Sequence, residues 1–270
     1  PATFYGGPIS STWGLSKEIS TKDIEMYVST TNANGISMLD VETNRFIKKR
    51  DNFFVKYYYE EFINRFSFAF IFGIWFDIKK ADIVYIQYLF HYTVLFSLLF
   101  SILQRKRVFV CPRGSFSLFT LSNSRPLIKG AWISLFVKPF YRFIQWQASS
   151  NLEKNDIKRI LPDAKVHIIS DGVDFASFQN FQRYDRVSLL EKYTKTKFKD
   201  VSNIFFSMGR LHTIKAFDVL ISAFSLFVKE HKDAKLIIAG GDDGAEEDLH
   251  HQILDLKLED SVFLIGAIGF

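Results

Sequence analysis

The sequence has 270 residues, 34 Lys and Arg against 29 Asp and Glu, and hydrophobic, charged and aromatic shares of 48%, 23% and 17%. That is the make-up of an aromatic-rich folded chain of about two domains, and it excludes a disordered polar segment. A net charge of +5 suits an acidic membrane surface or a phosphorylated small molecule, no long run of Lys and Arg marks a nucleic-acid arm, and the lone Cys111 excludes an internal disulfide or a cysteine-rich metal site.

The chain opens on PATFYGG without an initiator Met or a signal-peptide pattern and stops in the apolar run VFLIGAIGF, so both ends read as cut and a piece of a longer protein is expected. Gly6-Gly7 and the polar run after them predict a glycine turn leading into a short helix, and IEMYVST at 24–30 predicts a strand. Residues 31–52, with Asn34-Gly35 and the mixed charges of RFIKKRDN, read as turn and surface. From Val55 to Phe76 dense aromatics are interrupted by Glu60, Glu61, Asn64 and Arg65, which predicts a helix with one solvated face.

The block 81–114 has a strand–helix–strand pattern: ADIVYIQ, then TVLFSLLFSIL, then RVFVCPRG. Hydropathy alone permits a transmembrane helix over 83–103, although Gln87 and His91 would be costly in lipid. AWISLFVKPFYRFIQWQ at 131–147 predicts an aromatic helix broken near Pro139. A capped short helix follows, stopped by Pro162, then the strand VHIIS and the turn Asp171-Gly172. The polar stretch from Phe175 to Asp200 is the best domain boundary. Beyond it the order is strand 203–207, loop MGRLHT, helix 215–230, strand 234–240, acidic loop, helix 249–257 and strand 261–266. The expected architecture is α/β: a first domain at 1–180, a boundary at 181–200 and an incomplete second domain at 201–270.

Ligands of open parallel sheets gather beyond the carboxyl ends of the strands. Gly209 would let the backbone approach a ligand there, and Arg210 and Lys215 could meet phosphate oxygens, unless both merely solvate the loop. Gly6 and Gly7 would allow the same approach in the first domain, or form a plain turn. Arg113, after a strand and before Gly114, suits a carboxylate, a phosphate or a leaving group, and would otherwise be a surface arginine in a turn. Cys111 reads as a buried structural thiol, and the six histidines show no metal-ligand spacing. Motifs of P-loop NTPases, nucleophile-elbow hydrolases and thiol redox sites are absent from the sequence. What remains is a phosphate-binding site on α/β domains.

These residues resemble a known family. GRLHTIKAFDVLISAF, with AKLIIAGGDDG and LHHQILDLKLEDSVFLIG after it, is similar to the donor-binding domain of retaining glycosyltransferases of family four, which have the GT-B fold. The family run G-[RK]-L-x-x-x-K-G-x-D-x-L-I-x-A-F is matched at Gly209, Arg210, Leu211, Lys215, Asp218, Leu220, Ile221, Ala223 and Phe224. HIISDGVDFASF resembles the I-P-N-G-V-D segment, CPRGSF an S-P-R-G segment near the acceptor side, and Gly6-Gly7 the N-terminal glycine loop.

The resemblance implies two Rossmann-like, doubly wound parallel-sheet domains facing across a cleft, and transfer of a sugar from a nucleotide-sugar, with retention and no metal. Arg210 and Lys215 would hold the donor diphosphate together with Gly209 and the Gly6-Gly7 loop, and Arg113 would join the catalytic set. The implied acceptor is a glycan or lipid-linked molecule in cell-surface polysaccharide synthesis, with a cytoplasmic location and peripheral contact with an anionic membrane. A non-catalytic nucleotide-sugar or glycan-binding module of the same fold is the alternative. Two departures stand out: Ala216 replaces the usual Gly, and Asp171 the usual Asn. The family's later pair of glutamates would lie beyond Phe270.

Overall fold

The structure, a computed structural model, describes every residue except 1, 3–6, 36, 62–65, 124, 174, 176–184, 199–200, 202 and 269–270. The chain divides into two compact units, Pro1–Phe178 and Gln179–Phe270.

The first unit begins with helix α1, Gly7–Ile19, and strand β1, Met26–Thr31. The segment expected to be turn and surface instead holds three strands: the short hairpin β2 (Ala33–Asn34) and β3 (Ser37–Met38), and β4, Phe46–Arg50. The expected helix from Val55 is also corrected. Its start is strand β5, Phe53–Tyr58, and the helix, α2, runs Phe68–Lys80. In β5 the alternation decides: Phe53, Val55 and Tyr57 are buried on one side, while Phe54 and Lys56 are not. The strand is central, parallel to β1 and antiparallel to β4.

A polar cluster ties α2 to this sheet. The Asp77 carboxylate accepts from Lys56 Nζ at 2.6 Å, Tyr58 Oη at 2.6 Å and Ser29 Oγ at 2.7 Å. Lys56 and Asp77 are only 13% and 11% exposed, and each is compensated by the other, as buried charges require. Ser67 caps the start of α2 by accepting from the Phe70 N–H.

The second sheet of this unit has four parallel strands in sequential order: β6 (Ile83–Gln87), β7 (Arg107–Cys111), β8 (Ile144–Ala148) and β9 (Lys165–Ile168). The strand–helix–strand reading of 81–114 is what the structure shows, with helix α3 at Tyr92–Leu103. Twelve residues of α-helix span about 18 Å, and no helix among the described residues is long and apolar enough to cross a membrane. The expected single aromatic helix at 131–147 is corrected to several shorter elements. α4 (Leu118–Ser122) precedes α5 (Pro126–Trp132), which runs into a π-turn at Ile133–Val137, and Ile144–Ala148 is β8. Pro139 ends the helical run, and Trp146, fully buried between β7 and β9, makes the strand the better use of IQWQA. Helix α6, Asn151–Ile160, is capped by Ser150 and packs on β8 and β9. Val94, Leu98, Val108, Val110, Ile144 and Ile157 are among the core residues.

In the second unit α7, Arg186–Thr194, falls within the stretch read as a boundary. Three parallel strands follow in order: β10 (Ile204–Met208), β11 (Lys235–Ala239) and β12 (Val262–Leu264). Helix α8, Phe217–Phe227, connects the first two, and α9, Glu246–Asp255, the last two. Phe217, Ile221 and Phe224 bury one face of α8 against Leu236, Ile238, Leu249 and Ile253.

Candidate functional site

Two loops, one in each unit, stand at the carboxyl end of a parallel strand and carry the arginines singled out in the sequence. In the second unit the chain leaves β10 through Gly209, Arg210, Leu211 and His212. It then makes a single 3-10 turn at Thr213–Lys215 before α8. The neighbouring β11 ends in Gly240-Gly241, followed by Asp242 and Asp243. Backbone bonds clamp the two loops together: Gly209 N–H to Ala239 O at 2.9 Å, Leu211 N–H to Gly241 O at 2.9 Å, and Asp243 N–H to Leu211 O at 3.0 Å. The buried Leu211 side chain anchors the clamp from below.

Gly240 is required by this closeness. A Cβ built there would lie 1.8 Å from the Gly209 carbonyl oxygen, so any side chain would drive the loops apart. At Gly209 the space a Cβ would enter is bordered by the aliphatic stem of Lys215, with Cε at 3.4 Å. The lysine stem thus folds back over the loop that carries Arg210. Lys215 is exposed, and no ion pair is found for it among the described residues. Arg210 is 59% exposed and its Nη1 pairs with Asp243 at 2.7 Å.

Helix α8 begins at Phe217, two residues later than expected, because Ala216 adopts a left-handed conformation (φ 51°, ψ 38°). This explains the usual glycine at that position: a Cβ there costs about 1 kcal/mol. The N-terminus of α9, by contrast, is filled by the protein itself. Asp242 Oδ1 accepts from the N–H groups of Gly244, Ala245 and Glu246, and those of Glu246 and Gly244 chiefly hold its carboxyl below the usual range.

In the first unit Arg113 follows β7 and is 11% exposed. Its Nε donates to Gln87 Oε1 at 2.9 Å, its Nη1 pairs with Asp171, and its own φ is 51°. The carboxylate that replaces the expected Asn at 171 therefore neutralises Arg113. Gly114 N–H donates to Glu153 Oε1 at 2.8 Å, and the other oxygen of that buried glutamate accepts from the Ser149 backbone and hydroxyl. Cys111 is fully buried; burial pushes its thiol up, partly opposed by Arg113, as for a structural thiol. Gly7 opens α1, and Gly6 lies outside the described residues. An open pocket of about 700 Å³ lies elsewhere in this unit, lined by Ser20, Thr21, Asp23 and residues 48–52. Those residues precede β1 and β5, at the opposite strand ends from the arginine loops.

Sequence reasoning located Gly209, Arg210 and Lys215 on one loop, and the structure brings them together. It missed Gly240, Asp242 and Asp243, whose only signal was a glycine pair closing a strand before an acidic turn. It also missed Gln87 and Glu153, distant in sequence from the arginine loop they hold.

Two units built on parallel α/β sheets, with a cationic loop at the carboxyl edge of the second, are the fold of a GT-B glycosyltransferase. Residues 191–269, which contain that loop, match the family Glycosyl transferases group 1. The chain is 28% identical over 117 residues to the alpha-monoglucosyldiacylglycerol synthase of Streptococcus pneumoniae, a match over 42% of the chain and 26% of that protein. It resembles in fold the Anabaena protein Alr3699/HepE solved with UDP and glucose (TM-score 0.58, 15% identity, 81% of this chain and 57% of that one). A glycosyltransferase from Rickettsia africae is similar (TM-score 0.54, 16% identity, 80% and 55%). The chain thus spans about a quarter of the curated relative's length and a little over half of these solved chains.

Proposed function

We propose that the protein to which this chain belongs transfers a sugar from a nucleotide-sugar donor to a glycan or lipid-linked acceptor, with retention of anomeric configuration. The observation that carries the reading is the loop after β10, where Arg210 and Lys215 stand on one glycine-tight turn at the carboxyl edge of the sheet. Departure of a nucleoside diphosphate leaves negative charge on its phosphate oxygens. Fixed cations and backbone N–H groups aimed there stabilise the transition state more than the ground state. In this reading Lys215 meets the diphosphate directly. Arg210 joins it by exchanging the exposed Asp243 for phosphate, since an exposed pair contributes only about 0–1 kcal/mol.

Arg113 serves the acceptor-side loop as a positioning residue, held by Gln87 and Asp171. The Gly7 end of α1 offers helix N–H groups that suit a phosphate. UDP-glucose is the first donor to test and a diacylglycerol or lipid-linked glycan the first acceptor. The UDP and glucose bound by the Anabaena protein and the name of the pneumococcal relative support that choice.

The test is transfer of labelled glucose from UDP-glucose to a lipid extract by the natural full-length protein, with the anomeric configuration of the product read by NMR. Transfer with retention that disappears in Lys215→Ala is expected. Donor binding without transfer to any acceptor would favour the non-catalytic module instead.

A further inference from the structure

The loop that carries Arg210 and Lys215 has a buried anchor at each end and no fully buried side chain between them. Leu211 and Phe217 are buried, whereas Thr213, Ile214 and Lys215 are exposed, Ile214 by 52% although it is the turn's one large apolar side chain. Packing therefore does little to fix the path of the chain from 212 to 216. Ala216 works against that path, because its left-handed backbone is disfavoured for any residue with a Cβ. The shape of the turn has to come from hydrogen bonds.

Those bonds converge on His212. Its backbone is extended (φ −135°, ψ 146°), its N–H donates to Arg210 O at 2.8 Å, and its carbonyl accepts from the Lys215 N–H at 2.8 Å. The side chain adds a third contact, in which Nδ1 accepts from the Ile214 N–H at 3.1 Å. An imidazole nitrogen accepts only through a free lone pair, so the neutral ring carries its proton on Nε2. The two backbone bonds could be made by almost any residue type. The third requires an acceptor atom attached to Cγ.

The N–H that Nδ1 holds belongs to the residue before Lys215, whose stem lies over Gly209. If that acceptor were removed, water would take up the exposed N–H, so the fold as a whole would lose little. The turn would gain alternatives to the one conformation that lays Lys215 over the loop.

We propose that His212 is a positioning residue of the diphosphate site: its Nδ1 lone pair caps the turn at Thr213–Lys215 and so holds the Lys215 ammonium where it meets a phosphate oxygen. His212 acts through Lys215 and needs no contact with the ligand. The inference rests on the diphosphate reading of this loop and adds a residue whose loss is felt in ligand discrimination rather than in folding.

The experiment uses the natural full-length protein and three side chains that differ in the atom at the Nδ1 place: nitrogen in the wild type, oxygen in His212→Asn and a methyl carbon in His212→Leu. UDP and uridine are titrated by calorimetry, and melts followed by circular dichroism report on the fold. His212→Leu should lower UDP affinity about fivefold, within the range that loss of one cap gives, and leave uridine affinity unchanged. His212→Asn can make the same bond to the N–H two positions on and should stay within about twofold of wild type. Both should melt within roughly 2 °C of it. In a Lys215→Ala background, His212→Leu should cost less than about twofold more, since the group it places is gone. His212→Ala, which also lacks the acceptor, takes the place of the leucine variant if that one does not fold.

Undiminished UDP affinity in His212→Leu overturns the proposal. So do equal losses in the Leu and Asn variants, because Nε2 rather than the cap would then be at work, and so does a full fivefold loss in the Lys215→Ala background. If Lys215→Ala leaves the preference for UDP over uridine intact, the diphosphate reading falls and takes this inference with it. If Lys215→Ala abolishes that preference while His212→Leu keeps it, this inference alone falls.

Discussion

Arg113 and Arg210 occupy the same station in the two units, just beyond the carboxyl end of a parallel strand, yet they are held in opposite ways. Arg113 is 11% exposed and bound on two sides by Gln87 and Asp171, whereas Arg210 is 59% exposed and pairs with Asp243 at the surface. A buried guanidinium held through Nε and Nη1 organises its own loop and is costly to disturb, although its Nη2 has no partner among the described residues. An exposed one beside an exposed lysine can change partners at little cost. The station alone therefore does not assign the role. Each loop also contains a left-handed residue other than glycine, Arg113 and Ala216, both at φ 51°. In the first unit the left-handed residue also makes an ion pair, which the methyl side chain of Ala216 cannot do.

The comparison can be broken at four points. Gly240→Ala should have the largest effect, because its Cβ meets the Gly209 carbonyl. We expect a loss of about 3 kcal/mol in urea unfolding, together with loss of UDP binding. Asp171→Ala should cost about 2 kcal/mol in the same measurement, less than a fully buried pair because Asp171 is 42% exposed. Asp171→Asn, which keeps an acceptor oxygen for Arg113, should recover most of that. Neither change should alter UDP affinity, and a joint loss of stability and affinity would dissolve the distinction between the two arginines. Asp243→Asn should leave stability within about 0.5 kcal/mol and raise UDP affinity severalfold, by removing the carboxylate that competes with phosphate for Arg210. Ala216→Gly should be the mildest, raising stability by about 1 kcal/mol in thermal melts by relieving the left-handed strain.

Much of the molecule was legible in the sequence where one physical rule dominated. The second unit's strands and helices alternate cleanly, so β10, α8, β11, α9 and β12 lie within a few residues of expectation. The same is true of β6, α3 and β7. Legibility failed where aromatics crowd the chain. Between Phe53 and Phe76, and again from Ala131 to Gln147, apolar residues crowd the chain and polar ones interrupt them irregularly. Neither a period of two nor one of 3.6 then shows, and tertiary pairing decides between strand and helix. The short hairpin and β4 were hidden for the opposite reason, being polar edge elements with little buried surface. At the site, local motifs revealed the residues of a single loop. Gly240, Gln87 and Glu153 were invisible because their roles arise from contacts across 26 or more positions of chain. The pairing of Arg113 with Asp171, 58 positions apart, was likewise beyond any local pattern.

The central claim is that the loop after β10 binds a diphosphate through Lys215 and Arg210. Calorimetric titration of UDP and of uridine into the wild-type chain and into the Arg210→Ala, Lys215→Ala double variant tests it most directly. UDP should bind the wild type at least tenfold more tightly than uridine, which corresponds to about 1.4 kcal/mol, and the double variant should lose that preference. Equal affinities of the wild type for the two ligands, or a double variant that still prefers UDP, would contradict the assignment.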